Sequence, residues 1–257
     1  MAAIALTAFA IPANAQLNRA LRNAGQTVAK SVETVAGDIA ADIAANKASV
    51  KIVEFMDNNN TLAADDSENY KRLANLVSSK YVSVDDLVLN YRIYENPEAN
   101  ILTTADGSIR IYSGMMDMLT DDELLAVISI QIGHLANKNV RNSLLGVATE
   151  DNATQATVAQ LEKLLSFSGE RLGTIVNELM QVPYTDEQNK KADSYAFDLM
   201  KKNSTDTDAL VSALNKFAEL ESADKEVEAE EGETSAAYKY NQVNGNNNSR
   251  ASLISSK

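Results

Sequence analysis

The stretch Thr120-Asp121-Asp122-Glu123-Leu124-Leu125-Ala126-Val127-Ile128-Ser129-Ile130-Gln131-Ile132-Gly133-His134 decides how this chain is read. Thr120 with Glu123 three positions on is a capping box, which starts a helix by satisfying its free N–H groups. The residues that follow are apolar on nearly every side: Leu124, Leu125, Val127, Ile128, Ile130, Ile132 and Leu135. A helix of that kind, predicted to run to about Asn139, belongs in the centre of a domain. His134 lies near its end. Ile130, four residues earlier, shares its face, and Gln131 lies beside them.

His134 is the only His in 257 residues, and the chain has no Cys and no Trp. Zero Cys excludes disulfides, thiol nucleophiles and thiolate-held metals. One His excludes a metal centre built on two or three imidazoles of one chain. With 45% hydrophobic residues the chain can bury a core. Its 36 acidic against 23 basic residues give a net charge of −13, which argues against a nucleic-acid partner. There is no G-x-S-x-G elbow and no Gly-rich phosphate loop.

Before the central helix the composition is that of strands. Leu87 to Tyr94 is one, Ala99 to Thr104 a second and Ser108 to Tyr112 a third, with Asp106-Gly107 as a hairpin turn. A helix is predicted from about Ser67 to Lys80, and Asp57-Asn58-Asn59-Asn60 reads as a loop. After the central helix, further helices are expected over about Asn152 to Phe167, Gly169 to Met180, Thr185 to Lys202 and Thr207 to Leu220. At the front, residues 1–15 (MAAIALTAFAIPANA) have the apolar run and small-x-small ending of a signal peptide. The run is too short to span a bilayer. From Leu17 to about Met56, Leu21, Val28, Val32, Val35, Ile39 and Ile43 mark one or two amphipathic helices, with Gly37 a candidate break. Glu221 to Ser235 carries seven acids and one Lys, net −6, and Asn244 to Asn248 is polar, so 221–249 reads as a disordered acidic and Asn-rich tail. Residues 250–257 form a short C-terminal segment, helical over Arg250 to Ile254.

Four stretches, in order, resemble the HtpX-like and CAAX-prenyl-protease-type zinc metallopeptidases, in their soluble periplasmic branch. Asn96-Pro97-Glu98-Ala99-Asn100 through Met118 is similar to that family's hairpin, leaving through Tyr112-Ser113-Gly114-Met115-Met116-Asp117. Thr120 to Val127 is similar to its "D-E-L-A-A-V" approach to the zinc helix. Ile130-Gln131-Ile132-Gly133-His134 takes the place of H-E-x-x-H. Tyr184 to Asp193 resembles "Y-S-R-x-x-E-x-x-A-D", and Arg250-Ala251-Ser252-Leu253-Ile254 is fainter, like the end "R-I-A-A-L" without its His-Pro. The resemblance covers about Ser67 to Leu220. It implies an α+β, mainly helical, zincin-like domain over 67–220, with a small antiparallel sheet beside a central active-site helix. Residues 16–66 then form an N-terminal helical segment.

The resemblance also assigns roles, and here the residues depart from the pattern. His134 is the sole surviving zinc ligand. Ile130 stands at the first ligand position, Asn189 at the third, and Gln131 at the general-base position, while Asp193 matches the residue that supports the ligands. Ile130 has no lone pair, Asn189 is a weak donor, and Gln131 cannot take a proton from water. Structural and catalytic zinc sites need three or four protein ligands. No zinc is therefore expected, although zinc would be the cofactor if the family activity persists. A mixed site adding Asp193 and Glu187 has no support from spacing. The expectation is a secreted or periplasmic relative that binds an extended peptide or unfolded protein, in a chaperone-like way, without cutting it. An active metalloendopeptidase with an unusual metal site is the alternative. His134 is expected to hydrogen-bond Asp193 or a backbone carbonyl.

Overall fold

The computed structural model describes residues 37–148, 163–227 and 237–257. The signal peptide, the apolar stripe from Leu21 to Val35, most of the helix expected over Asn152 to Phe167, and much of the acidic run lie outside the described residues. Two compact units are present. The first, Met1–Ala41, is described only at residues 37–41, which are helical.

The second unit, Asp42–Lys257, opens with residues 42–59 as helix α1. Its Ala44, Ala45, Ala48, Ile52 and Met56 are buried together with Leu172, Ile175 and Val176. The loop expected at Asp57 to Asn60 is instead the last turn of this helix. Asn59 Nδ2 donates to the Phe55 carbonyl (2.7 Å) and Asn60 Nδ2 to that of Met56 (2.8 Å), so the amides satisfy carbonyls that the helix end leaves open. Asp57 also has a long-range partner. Its two carboxylate oxygens accept from Arg110 Nε (2.8 Å) and Nη2 (2.9 Å), and Oδ1 accepts from the Tyr94 hydroxyl (2.6 Å).

Helix α2 (Glu68–Val77) begins at Ser67, whose Oγ accepts from the Tyr70 N–H. The two-residue strands β1 (Ser83–Val84) and β2 (Leu87–Val88) pair with each other. The main sheet has three strands, β3 (Asn90–Tyr94), β4 (Ile101–Thr103) and β5 (Ser108–Tyr112), in the order β3-β5-β4. The hairpin β4–β5 is antiparallel as expected, with Gly107 at φ 85°, the left-handed region that glycine tolerates. The other ladder, β3 to β5, is parallel. The chain crosses between them through the Asn96-Pro97-Glu98 turn and β4, so β5 ends up central and wholly buried.

After α3 (Ser113–Met118) comes the central helix α4 (Asp121–Ala136). Its capping box forms as read, with Glu123 N–H to Thr120 Oγ1 and Thr120 N–H to Glu123 Oε2. Every residue from Glu123 to His134 is buried. Then follow α5 (Asn139–Ala148), α6 (Gly169–Met180), α7 (Asp186–Lys202), α8 (Asp208–Val227), α9 (Tyr238–Asn244) and α10 (Asn247–Ser255). Helix α4 packs closely against α7, and Ile130 shares an apolar cluster with Ala192, Ala196, Leu210 and Ala251. Among the described residues, no helix is long and apolar enough to cross a membrane.

The Asn-rich stretch read as disordered is helical except at Gly245-Asn246, which separate α9 from α10. Its amides are internal connectors: Asn241 Nδ2 donates to the Phe217 carbonyl (3.2 Å), Asn244 Nδ2 to that of Tyr240 (3.1 Å) and Asn247 Nδ2 to Asn241 Oδ1 (3.2 Å). A buried amide with partners no longer disfavours helix as an exposed one does.

Glu123 has a second task. Burial opposes its ionisation, but hydrogen bonds from Lys216 Nζ (2.6 Å), Ser212 Oγ (2.7 Å) and Thr120 outweigh that and bring the carboxyl to about 2. A carboxyl depressed on folding stabilises fully above its unfolded pKa near ~4.3, and loses that contribution as pH falls toward 2. Lys216 is partly solvated, which limits the gain to about 2 kcal/mol. Acid titration of unfolding followed by circular dichroism should therefore show a shallower loss for Glu123→Gln than for the parent between pH ~4.5 and ~2.

Candidate metal centre and the adjoining cleft

Four elements meet around His134. It sits in the last turn of α4 at 0% exposure. Its Nδ1 lies 3.0 Å from Nδ2 of Asn139, the first residue of α5. The same Nδ2 donates to the Gln188 carbonyl in α7 (3.5 Å), which fixes the amide with its nitrogen inward. Nδ1 is then the acceptor, and the pattern assigns the imidazole hydrogen to Nε2. Burial, reinforced by the charge of Arg250, holds the His134 pKa well below its ordinary value, so the ring is neutral at pH 7. Tyr184, just before the N-cap of α7, stacks on it with centroids 3.7 Å apart and planes at 14°. The partner of His134 is thus a side-chain amide, neither Asp193 nor a backbone carbonyl.

Thr185 caps α7 as read, forming a reciprocal pair with Gln188. From this start α7 presents Asn189, Ala192, Asp193 and Ala196 to the interior. Gly133 allows the approach. A Cβ placed there would lie 2.5 Å from the Ala192 carbonyl oxygen, so α4 and α7 touch backbone to backbone one residue from His134. Asp193 is held by Arg250 of α10 through two parallel bonds, Nη2 to Oδ1 (2.7 Å) and Nε to Oδ2 (2.8 Å). Arg250 Nη1 also donates to the Asn244 carbonyl (2.6 Å) and Asn247 Oδ1 (3.0 Å). Asp193 and Arg250 are both almost fully buried.

The helix packing brings the helix with the three positions of the broken motif, Ile130, Gln131 and His134, against the helix that carries Asn189, but their chemistry does not converge on a cation. Ile130 offers only carbon and is absorbed into the apolar cluster with Ala192 and Ala196. Gln131 Nε2, His134 Nε2 and Asn189 Oδ1 are buried without hydrogen-bond partners among the described residues. Gln131 Nε2 is an N–H donor with no lone pair to offer a cation, and Asn189 Oδ1 is the oxygen of a neutral amide. Glu187 cannot complete a mixed site: it is exposed and pairs with Lys191, while Asp193 is committed to Arg250. Among the described residues, no group of three or more His, Asp or Glu could hold a metal ion. These residues do not fit zinc, which needs three or four lone-pair donors.

Beside the centre lies a partly open cleft with a cavity volume of about 60 Å³. Its walls are mostly aliphatic, among them Ile52, Met56, Val176, Leu179, Met180 and Val182, and its rim includes Asn100 to Thr104, Gln131 and Tyr184. Strand β4 is at the end of the sheet order and forms one border. The bonds from Tyr112 N–H to the Asn100 carbonyl and from Thr104 N–H to the Ser108 carbonyl direct Asn100, Leu102 and Thr104 toward β5. By alternation, the main-chain groups of Ile101 and Thr103 face the open side. The Ile101 N–H is met by Asn100 Oδ1 (2.9 Å). The Thr103 hydroxyl donates to Gln131 Oε1 (3.0 Å), linking the strand to the helix.

A capped helix bearing the broken motif, a three-stranded sheet laid beside it, and a second helix carrying Asn189 and Asp193 define a metallopeptidase domain. The chain belongs to peptidase family M48, which its residues 67–245 match. It is 32% identical over 167 residues to the metalloprotease LoiP of Escherichia coli (strain K12), covering 65% of this chain and 66% of LoiP. It is 30% identical over 172 residues to the metalloprotease YcaL of the same organism, covering 65% of each. The matched part spans a little less than two thirds of each relative's own length.

Sequence reasoning missed Asn139 and Thr103. Neither belongs to a motif, and each matters only through a contact made by the fold.

Proposed function

We propose that this chain is a pseudoenzyme of the M48 family, which binds extended segments of peptide or unfolded protein along β4 and does not cut them. The observation that carries this is the donor set at the centre: one buried imidazole, an isoleucine and two neutral amides. Without a general base the hydrolytic step loses about 10²–10⁴ in rate, before any loss of the ion is counted. The open strand retains what a peptide needs. The Ile101 carbonyl and the main-chain groups of Thr103 offer pairing by strand addition, and the aliphatic cleft receives a side chain. We infer a periplasmic or secreted setting from the leader-like composition of residues 1–15.

An active metalloendopeptidase with an unusual metal site is the second reading, favoured by family membership and by the names of both relatives. Two measurements separate them. Elemental mass spectrometry on protein purified without chelator should find far less than one zinc per chain, and fluorescent casein should remain uncut with or without added zinc. Stoichiometric zinc together with chelator-sensitive cleavage would falsify the pseudoenzyme reading. Binding of the same casein, followed by fluorescence anisotropy, should disappear in Thr103→Pro, which removes an N–H from the open edge.

A further inference from the structure

The geometry points to Gln131 as a peptide-reading residue: its Nε2 donates to a backbone carbonyl oxygen of the chain lying along β4. This rests on the peptide-binding reading above and names the atom that makes the contact. Three observations support it. Gln131 is 3% exposed yet borders the cleft. Its Oε1 accepts from the Thr103 hydroxyl at 3.0 Å, which ties the amide to the strand itself. Its Nε2 is left without a partner among the described residues. A buried donor with no acceptor is costly, and such groups in native proteins usually await water or a ligand.

A ligand that meets this donor must bring an acceptor to the border of β4. An extended backbone does so as it pairs with Ile101 and Thr103, because its carbonyls alternate along the strand. The aliphatic cleft then takes the neighbouring apolar side chain. The amide therefore reverses the polarity that a carboxylate would have at position 131. A carboxylate repels a carbonyl oxygen, whereas this donor holds it. Thr103 is a positioning residue, since it acts by fixing the amide.

The probe is fluorescein-labelled casein, titrated with the full chain and read by anisotropy, with thermal unfolding measured alongside. Gln131→Met keeps length and loses the donor; Gln131→Glu replaces the donor with an acceptor. Each should weaken Kd about tenfold, the worth of one well-placed hydrogen bond. Gln131→Met should unfold no earlier than the parent, because it removes an unpartnered polar atom. A purely structural role would reverse that pair of results. Thr103→Val should weaken binding and Thr103→Ser, which keeps the hydroxyl, should restore it. If the parent binds casein and Thr103→Pro abolishes this, but both Gln131 variants bind as the parent does, the role of Gln131 is refuted and strand addition stands. If the parent does not bind casein at all, the peptide-binding reading falls and this inference with it.

Discussion

Asp193→Ala should lower the free energy of unfolding by about 3–5 kcal/mol, measured by urea denaturation at neutral pH. The carboxylate is the anchor for both arms of Arg250, and nothing else in the described residues replaces it. Removal leaves a guanidinium buried with only the Asn244 carbonyl and Asn247 Oδ1 as acceptors. Such a charge cannot relax by losing its proton. In the parent the Asp193 carboxylate overrides the cost of burial and keeps the Arg250 pKa above its ordinary value; in the variant that support is gone and the guanidinium stays charged against the full cost of burial. Arg250→Met should be damaging for the mirror reason. The double change Asp193→Leu with Arg250→Met is expected to recover most of the stability, because a buried pair exchanged for apolar side chains of similar volume is close to neutral. Equal loss in the single and double variants would show that the pair contributes by shape and not by charge.

Gly133→Val should cost about 3 kcal/mol and lower the melting temperature by roughly 6–12 °C in a domain of this size. The obstacle is the Ala192 backbone at 2.5 Å, which cannot swing away like a flexible side chain. The two helices must separate, and with them His134 must leave Tyr184 and Asn139. Gly146→Ala in α5 is the control. Among the described residues nothing lies within 4 Å of a Cβ there, so better helix propensity should leave the protein as stable as before or about 1 kcal/mol more so. Differential scanning fluorimetry of the two variants should move in opposite directions.

Local signals in the sequence were enough to find the frame. Thr120 with Glu123 and Thr185 before Asp186 mark helix starts by chemistry contained within four residues, and both caps form. Asp106-Gly107 marks the hairpin for the same reason, since only its own backbone must turn. The order of motifs then gave the family. What stayed hidden depends on distant partners. Nothing between Asn90 and Tyr94 announces that β3 will run parallel to β5. Asparagines at 59, 60, 241, 244 and 247 read as loop formers until a carbonyl or amide acceptor is supplied for each. The site divided in the same way. Ile130, Gln131, His134 and Asn189 could be named from spacing, but the tautomer of His134 follows from Asn139 and Gln188, which spacing does not reveal.

The clamp between Asp193 and Arg250 also sets an order of events during synthesis. The partners are separated by 57 positions, so the carboxylate leaves the ribosome well before the cation that will cover it. At about 5–20 residues per second that interval is roughly 3–11 s. Throughout it, Asp193 must remain hydrated, and α7 cannot seat itself permanently on α4 without stranding a bare charge. A chain that ends before Arg250 is therefore expected to seat α7 on α4 less firmly than the full chain does.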